Sequence, residues 1–181
     1  TIGFWANKIF YIAIKKIMER LASWIDQINE RVGQWVSWLT LALVLLVFVN
    51  VFLRYVFNLP LAWSKELEWH LFALIFLFGA GYSLRHDRHV RVDLLYEKAD
   101  KADQRRINFW GTLLFLIPWC LVLIYAGWNA AIDAWRMGER SPESAGLTNL
   151  WLIQFALPVG ISLLLLQGIA ELIRSRAKGS E

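Results

Sequence analysis

The sequence predicts an all-α integral membrane protein with four transmembrane helices, both termini cytoplasmic, and an amphipathic interfacial helix at the N-terminus. Three observations predict it. The 181 residues are 57% hydrophobic with 11 Trp and 11 Phe, and mean hydropathy is +0.43, too apolar for an ordinary soluble domain of this size. Four windows contain no Asp, Glu, Lys or Arg: 32–53, 69–84, 107–132 and 144–170, of 22, 16, 26 and 27 residues. At 1.5 Å per residue, about 20 residues cross a hydrocarbon core of about 30 Å, so three windows suffice outright. The third observation is the lopsided distribution of Lys and Arg between the two sides that four crossings define.

Residues 10–28 come first. Phe10, Ile14, Ile17, Met18, Leu21, Trp24, Ile25 and Ile28 recur at i, i+3, i+4 and i+7, with Lys15, Lys16, Glu19, Arg20, Asp26 and Gln27 opposite. Residues 1–31 therefore read as a membrane-surface helix. A cytoplasmic helix packed on a soluble partner is the alternative. No signal peptide is expected, because this segment is striped rather than continuously apolar.

Residues 32–174 form the transmembrane domain, with helices at about 33–54, 64–85, 107–135 and 148–173, and 175–181 form a cytoplasmic tail. The second window is short, so its helix takes in the turn carrying Glu66 and Glu68 and places Arg85 at the opposite boundary. Helix three contains Pro118 and Gly127, and helix four contains Pro158 and Gly160, so both can bend. Their polar residues Thr112, Asn129, Gln154, Ser162 and Gln167 are of the kind that join helices.

Orientation follows from charge. Fifteen Lys and Arg fall before helix one, in the 85–106 loop and at the C-terminus, against four (Arg54, Lys65, Arg136, Arg140) on the other side. The positive-inside bias therefore places both termini in the cytoplasm. Trp35, Trp38 and Trp110 fall near the inner boundary, and Trp63, Trp69, Trp128, Trp135 and Trp151 near the outer one, as amphipathic indoles prefer. The net charge of +4 is thus mainly topological, and no nucleic-acid platform accompanies it.

Several chemistries find no support. Of the three histidines only His70 lies in a span, so paired axial ligands for a haem are lacking. His86 and His89, with Asp87 and Asp93, make a weak metal set. The single Cys120 excludes a disulfide within the chain and reads as a packing residue. No phosphate loop, zinc motif or nucleophile constellation is present, so neither catalytic nor cofactor-binding residues are assigned. A non-enzymatic, partner-binding membrane subunit is the expectation.

Specific motifs then narrow it. Asn50 followed by Leu53-Arg54-Tyr55-Val56-Phe57, then Trp63-Ser64-Lys65-Glu66-Leu67, resembles the signature of the DctQ-type small membrane subunit of tripartite ATP-independent periplasmic (TRAP) transporters. Phe78-Gly79-Ala80, Arg85 with His89-Val90-Arg91-Val92-Asp93, and Leu157-Pro158-Val159-Gly160 follow in the same order, so the resemblance spans about residues 33–173. Lys65 stands where that family often carries an acid, and Glu68 lies one turn on.

The resemblance implies a small permease subunit of a sodium-coupled importer of an organic anion, a carboxylate or sialic-acid-like solute, in the bacterial inner membrane. Its partners would be a large TRAP membrane subunit and a periplasmic solute-binding protein. Sodium would bind the large subunit, this chain carrying no cofactor and acting as scaffold. The alternative is a membrane anchor subunit of a respiratory or redox complex, which the lack of paired haem histidines disfavours.

Structural roles are expected for Asn50, Arg54, Trp63, Glu66, Glu68, Arg85, His89, Arg91 and Asp93. Arg54 and Glu66 are expected to pair across the outer connection, or else to point into water. Asn50 either bonds across helices or caps a backbone irregularity. His89, Arg91 and Asp93 tie the inner loop onto the bundle or the large subunit, or form a solvated turn. Arg136, Glu139, Arg140 and Glu143 offer a docking surface for the binding protein, or simply a polar loop.

Overall fold

The computed structural model describes residues 2–59, 62–86, 100–142 and 146–178. His89, Arg91, Asp93 and Glu143 lie outside the described residues. The elements are α1 (Ile2–Phe57), α2 (Ala62–Arg85), α3 (Lys101–Gly111), a π-helical turn (Thr112–Leu116), α4 (Ile117–Met137), the short α5 (Trp151–Gln154) and α6 (Ala156–Lys178). Among the described residues, four stretches are long and apolar enough to cross a membrane: Ala13–Phe57, Trp63–Arg85, Asp103–Met137 and Trp151–Ser175.

Helix α1 runs unbroken for 56 residues, about 84 Å at 1.5 Å per residue, through the boundary that the sequence suggests at residue 31. Its packed side explains the continuity. Met18, Ala22, Ile25, Asn29, Val32, Val36, Leu39, Leu43, Leu46, Asn50 and Leu53 are all buried or half-buried, and their spacing alternates strictly between four and three. Between Val36 and Leu53 every other residue of α1 is exposed. That is the heptad seam of left-handed helix packing, which favours one long helix over two short ones. Of the face expected to be apolar toward the membrane, Ile14, Ile17, Leu21 and Trp24 lie off this seam and are exposed, whereas Met18 and Ile25 lie on it and Ile28 is half-buried. Helix α1 ends at Asn58, whose φ of 53° is tolerated by a side chain that bonds locally, and the Leu59 N–H donates to the Leu53 carbonyl at 3.3 Å.

Helix α6 occupies the centre, packing on α1, α2 and α4. It can do so because its inward face is small. Gly160 lies against the backbone of α2, where a Cβ would stand 2.8 Å from Leu77 Cβ and 2.9 Å from its carbonyl oxygen. Close backbone approach at small residues is how helices associate in lipid, where burial alone gives no advantage. Cys120, Ile161 and Leu164 form the mid-bundle core, and Ala22, Ile25 and Ala170 a second cluster nearer the end that the charge bias assigns to the cytoplasm, hereafter the inner end.

Pro118 and Pro158, the two prolines within the spans, act at helix starts. The π-helical turn precedes Pro118, with the Ile117 N–H reaching back to the Thr112 carbonyl, and α4 then continues through Gly127 to Met137. A wide turn gives the proline ring room against the preceding coil. Pro158 is the third residue of α6, beyond a break at Phe155, where a missing N–H costs no helical bond. Gly138, at φ 62°, ends α4 in a left-handed cap with the Glu139 N–H donating to the Ala134 carbonyl at 3.0 Å.

Candidate functional site

Polar side chains gather at the two ends of the bundle, and each end is a tie between helices. At the outer end, Glu66 sits one turn into α2 and binds the loop after α4. Its Oε2 accepts the Leu147 N–H at 2.6 Å, and its Oε1 accepts the Ser141 hydroxyl. The Ser141 N–H in turn donates to the Leu147 carbonyl at 3.1 Å, so the carboxylate closes a small loop on both strands of its neck. Gly146 leaves the space, since a Cβ there would stand 2.8 Å from Glu66 Oε1.

The expected Arg54–Glu66 ion pair does not form. Glu66 is turned to the loop, and Arg54 is exposed, its guanidinium 5.8 Å from the centre of the adjacent Tyr55 ring. Glu68, two residues on and so on the opposite side of the helix, makes the link between α1 and α2: Asn50 Nδ2 donates to its Oε1 at 2.7 Å. Of the two alternatives for Asn50, bonding across helices is the one realised. His70 shares this corner, its Nδ1–H meeting the Glu66 carbonyl at 2.6 Å. Trp63 and Lys65 are exposed at the start of α2. Arg136, Glu139 and Arg140 are exposed around the cap of α4, Arg136 lying 4.0 Å from Asp133.

The inner end is a deeper network. Asn29 and Gln167 are both 0% exposed, and Asn29 Nδ2 donates to Gln167 Oε1 at 3.0 Å and to the Ile25 carbonyl at 3.3 Å. Gln167 Nε2 donates to Asp26 Oδ1 at 3.1 Å, and the other Asp26 oxygen pairs with Arg174, which also reaches Glu171 at 2.8 Å. Arg85, at the end of α2, donates from Nη1 to the Asp26 carbonyl and to Glu30 Oε2, both at 2.6 Å. Glu30 also meets His86 Nε2 at 3.0 Å. Helices α1, α2 and α6 are thereby joined by one chain of hydrogen bonds. Among the described residues Asn29 Oδ1 has no hydrogen-bond partner, and it lies against Gly81, where a Cβ would overlap it and stand 3.3 Å from the Leu163 carbonyl. A Cα–H contact to a carbonyl oxygen is the favourable form of such an approach.

Sequence reasoning placed Arg85 at the inner boundary but missed Asp26 and Glu30 as its partners, and Asn29 and Arg174 as members of the same network. A signal was present: Asn29 and Asn50 are 21 residues apart, three heptads, and hold the same position in the seam. An amide at such a position fixes register between helices. Nothing in the sequence marks Ser141 as the partner of Glu66.

The family model described as "Tripartite ATP-independent periplasmic transporters, DctQ component" matches residues 43–178, three quarters of the chain. The chain belongs to this family. Among its relatives, the C4-dicarboxylate TRAP transporter small permease protein DctQ of Vibrio cholerae is 28% identical over 110 residues, 61% of this chain and 46% of the relative. A protein of the same description from Rhodobacter capsulatus is 32% identical over 110 residues, 59% and 46% of the two chains. A TRAP transporter small permease protein of Haemophilus influenzae is 32% identical over 84 residues, 46% and 52%. The matches thus cover about half the length of these curated relatives. The chain is accordingly a TRAP small permease subunit, a multi-pass inner-membrane protein of a non-enzymatic family. The matched region holds the outer clasp whole, but only the α2 and α6 side of the inner network, since Asp26, Asn29 and Glu30 precede it.

Proposed function

We propose that this small permease is the scaffold of a sodium-coupled importer of an organic anion, working with a large membrane subunit and a periplasmic solute-binding protein. The observation that carries the scaffold reading is the use made of the polar side chains at the two ends. Glu66, Glu68, Asn50, Asn29, Gln167, Asp26, Arg85 and Arg174 are each engaged in holding one element to another. Groups committed to such ties are poorly placed to bind and release a solute, so solute and sodium are assigned to the large subunit. The small permease then carries no cofactor of its own.

Two relatives are named for C4-dicarboxylates, which favours a carboxylate as the imported anion. Exposed Arg136, Glu139 and Arg140, on the loop neck that Glu66 holds, supply a charged outer surface for docking the binding protein. The charge bias supports a cytoplasmic position for both termini. The test is reconstitution: solute uptake in liposomes should require the large subunit, the binding protein and this chain together. Uptake by this chain alone would sink the scaffold reading.

A further inference from the structure

A polar groove at the inner end borders the ties just described and shares Glu30 and Arg85 with them. On α1, Gln27, Glu30, Arg31 and Gln34 follow at i, i+3, i+4 and i+7, so one face of the helix presents all four, three just before the charge-free run beginning at Val32 and Gln34 at its start. Arg85 of α2 flanks the other side, and the five side chains line an open groove of about 280 Å³. Two guanidinium groups face one carboxylate there. Glu30 is already met by Arg85 and His86, whereas Arg31 is exposed and has no ion-pair partner among the described residues. The surplus is positive, so the groove favours an anion.

The surface above the groove is the second observation. The line through Gln27, Arg31 and Gln34 continues at the same alternating spacing as Trp38, Leu41, Leu45 and Phe48, every one of them large, apolar and exposed. A cation-lined groove at a membrane boundary, joined to an apolar track that rises into the span, matches a molecule with an anionic head and hydrocarbon tails. We infer that this groove holds the phosphate of an anionic phospholipid, with an acyl chain along Trp38, Leu41, Leu45 and Phe48. Arg31 is the principal phosphate ligand, Arg85 adds the donors that Asp26 and Glu30 leave unused, and the Gln27 and Gln34 amides supply neutral N–H groups. Guanidinium suits this role because its planar donors match phosphate oxygens.

The test uses the full-length chain purified with its membrane partners, stripped of lipid, and offered phosphatidylglycerol, a diacylglycerol with the same chains, or inorganic phosphate. Native mass spectrometry reads the retained adduct. The expected result is retention of phosphatidylglycerol over both other probes. Arg31→Gln should weaken it about tenfold, as loss of one charge-assisted hydrogen bond implies. Gln34→Ala should weaken it less, and Arg54→Gln, on the same helix at the opposite boundary, not at all. These variants remove no hydrogen bond between helices, so the bundle stays folded. Equal retention by the parent and Arg31→Gln would overturn the site. Equal binding of diacylglycerol would remove the phosphate from the argument, and inorganic phosphate binding as well as the lipid would reassign the groove to a free anion.

Discussion

The outer and inner ends of the bundle solve the same problem in different ways. Outside, a carboxylate at the start of α2 binds a loop, taking one backbone N–H and one hydroxyl, and a separate Asn50–Glu68 bond joins α1 to α2. Inside, buried amides and paired charges join three helices directly, with Asn29 and Gln167 wholly enclosed. Enclosure raises the stakes, because a buried polar group deprived of its partner cannot fall back on water. The inner network should therefore govern whether the helices assemble, and the outer one how the loop is presented.

The sharpest way to break that distinction is to fill the space beside Asn29. Gly81→Val puts a branched side chain onto Asn29 Oδ1 and against the Leu163 carbonyl, forcing α1 and α6 away from α2. A loss of about 3 kcal/mol is expected, the upper end of overpacking costs. Unfolding in mixed micelles measures it, and a parent-like midpoint would show that the three helices do not meet this closely. Asn29→Leu comes next. It leaves the Gln167 amide oxygen without its donor, at about 1–2 kcal/mol. Adding Gln167→Leu should recover part of that loss, and strictly additive losses in the double-mutant cycle would mean the two amides are not coupled.

The outer clasp should behave otherwise. Glu66→Ala frees the neck of the loop at Ser141 and Leu147 while leaving the inner network intact. The expected outcome is faster proteolysis between Gly138 and Leu150 with little change in helix assembly. Gly146→Val, whose side chain displaces Ser141 from the carboxylate, should give the same pattern from the other side. If Glu66→Ala instead lowered unfolding stability as much as Asn29→Leu, the division of labour between the two ends would be wrong.

The same contrast shows what was legible beforehand. The spans were legible because absence of charge over about 20 residues has one physical meaning in a chain this apolar. The acids of the outer end were legible as structural, since Glu66 and Glu68 fall at a boundary rather than mid-span. Their partners were not, because a carboxylate at that depth can turn to Arg54 or to a loop 75 residues on, and only the packing of α4 against α6 decides. The extent of α1 was obscured by two apolar stripes side by side: Ile14, Ile17, Leu21 and Trp24 are the more hydrophobic, and Ala22, Ile25 and Asn29 are the packed ones. In lipid, small and polar residues mark the contact face better than large apolar ones do.

The two smallest effects sharpen the comparison at a single place, the outer end of α1. Asn50→Leu removes a half-buried hydrogen bond to Glu68 while extending an already apolar seam, so a loss of about 0.6 kcal/mol is expected, the usual worth of an interhelical bond in a membrane. Arg54→Gln, one turn further out, should stay within about 0.5 kcal/mol of the parent, as exposed substitutions do. The physical reason is that, among the described residues, Arg54 meets the neighbouring Tyr55 ring and no acid, while the acid it was expected to hold is committed to the loop. A charge reversal distinguishes the two arrangements: Arg54→Glu should leave the loop neck as protected from protease as in the parent. Exposure of that neck in Arg54→Glu would restore the Arg54–Glu66 pair and assign the outer clasp to α1 instead of the loop.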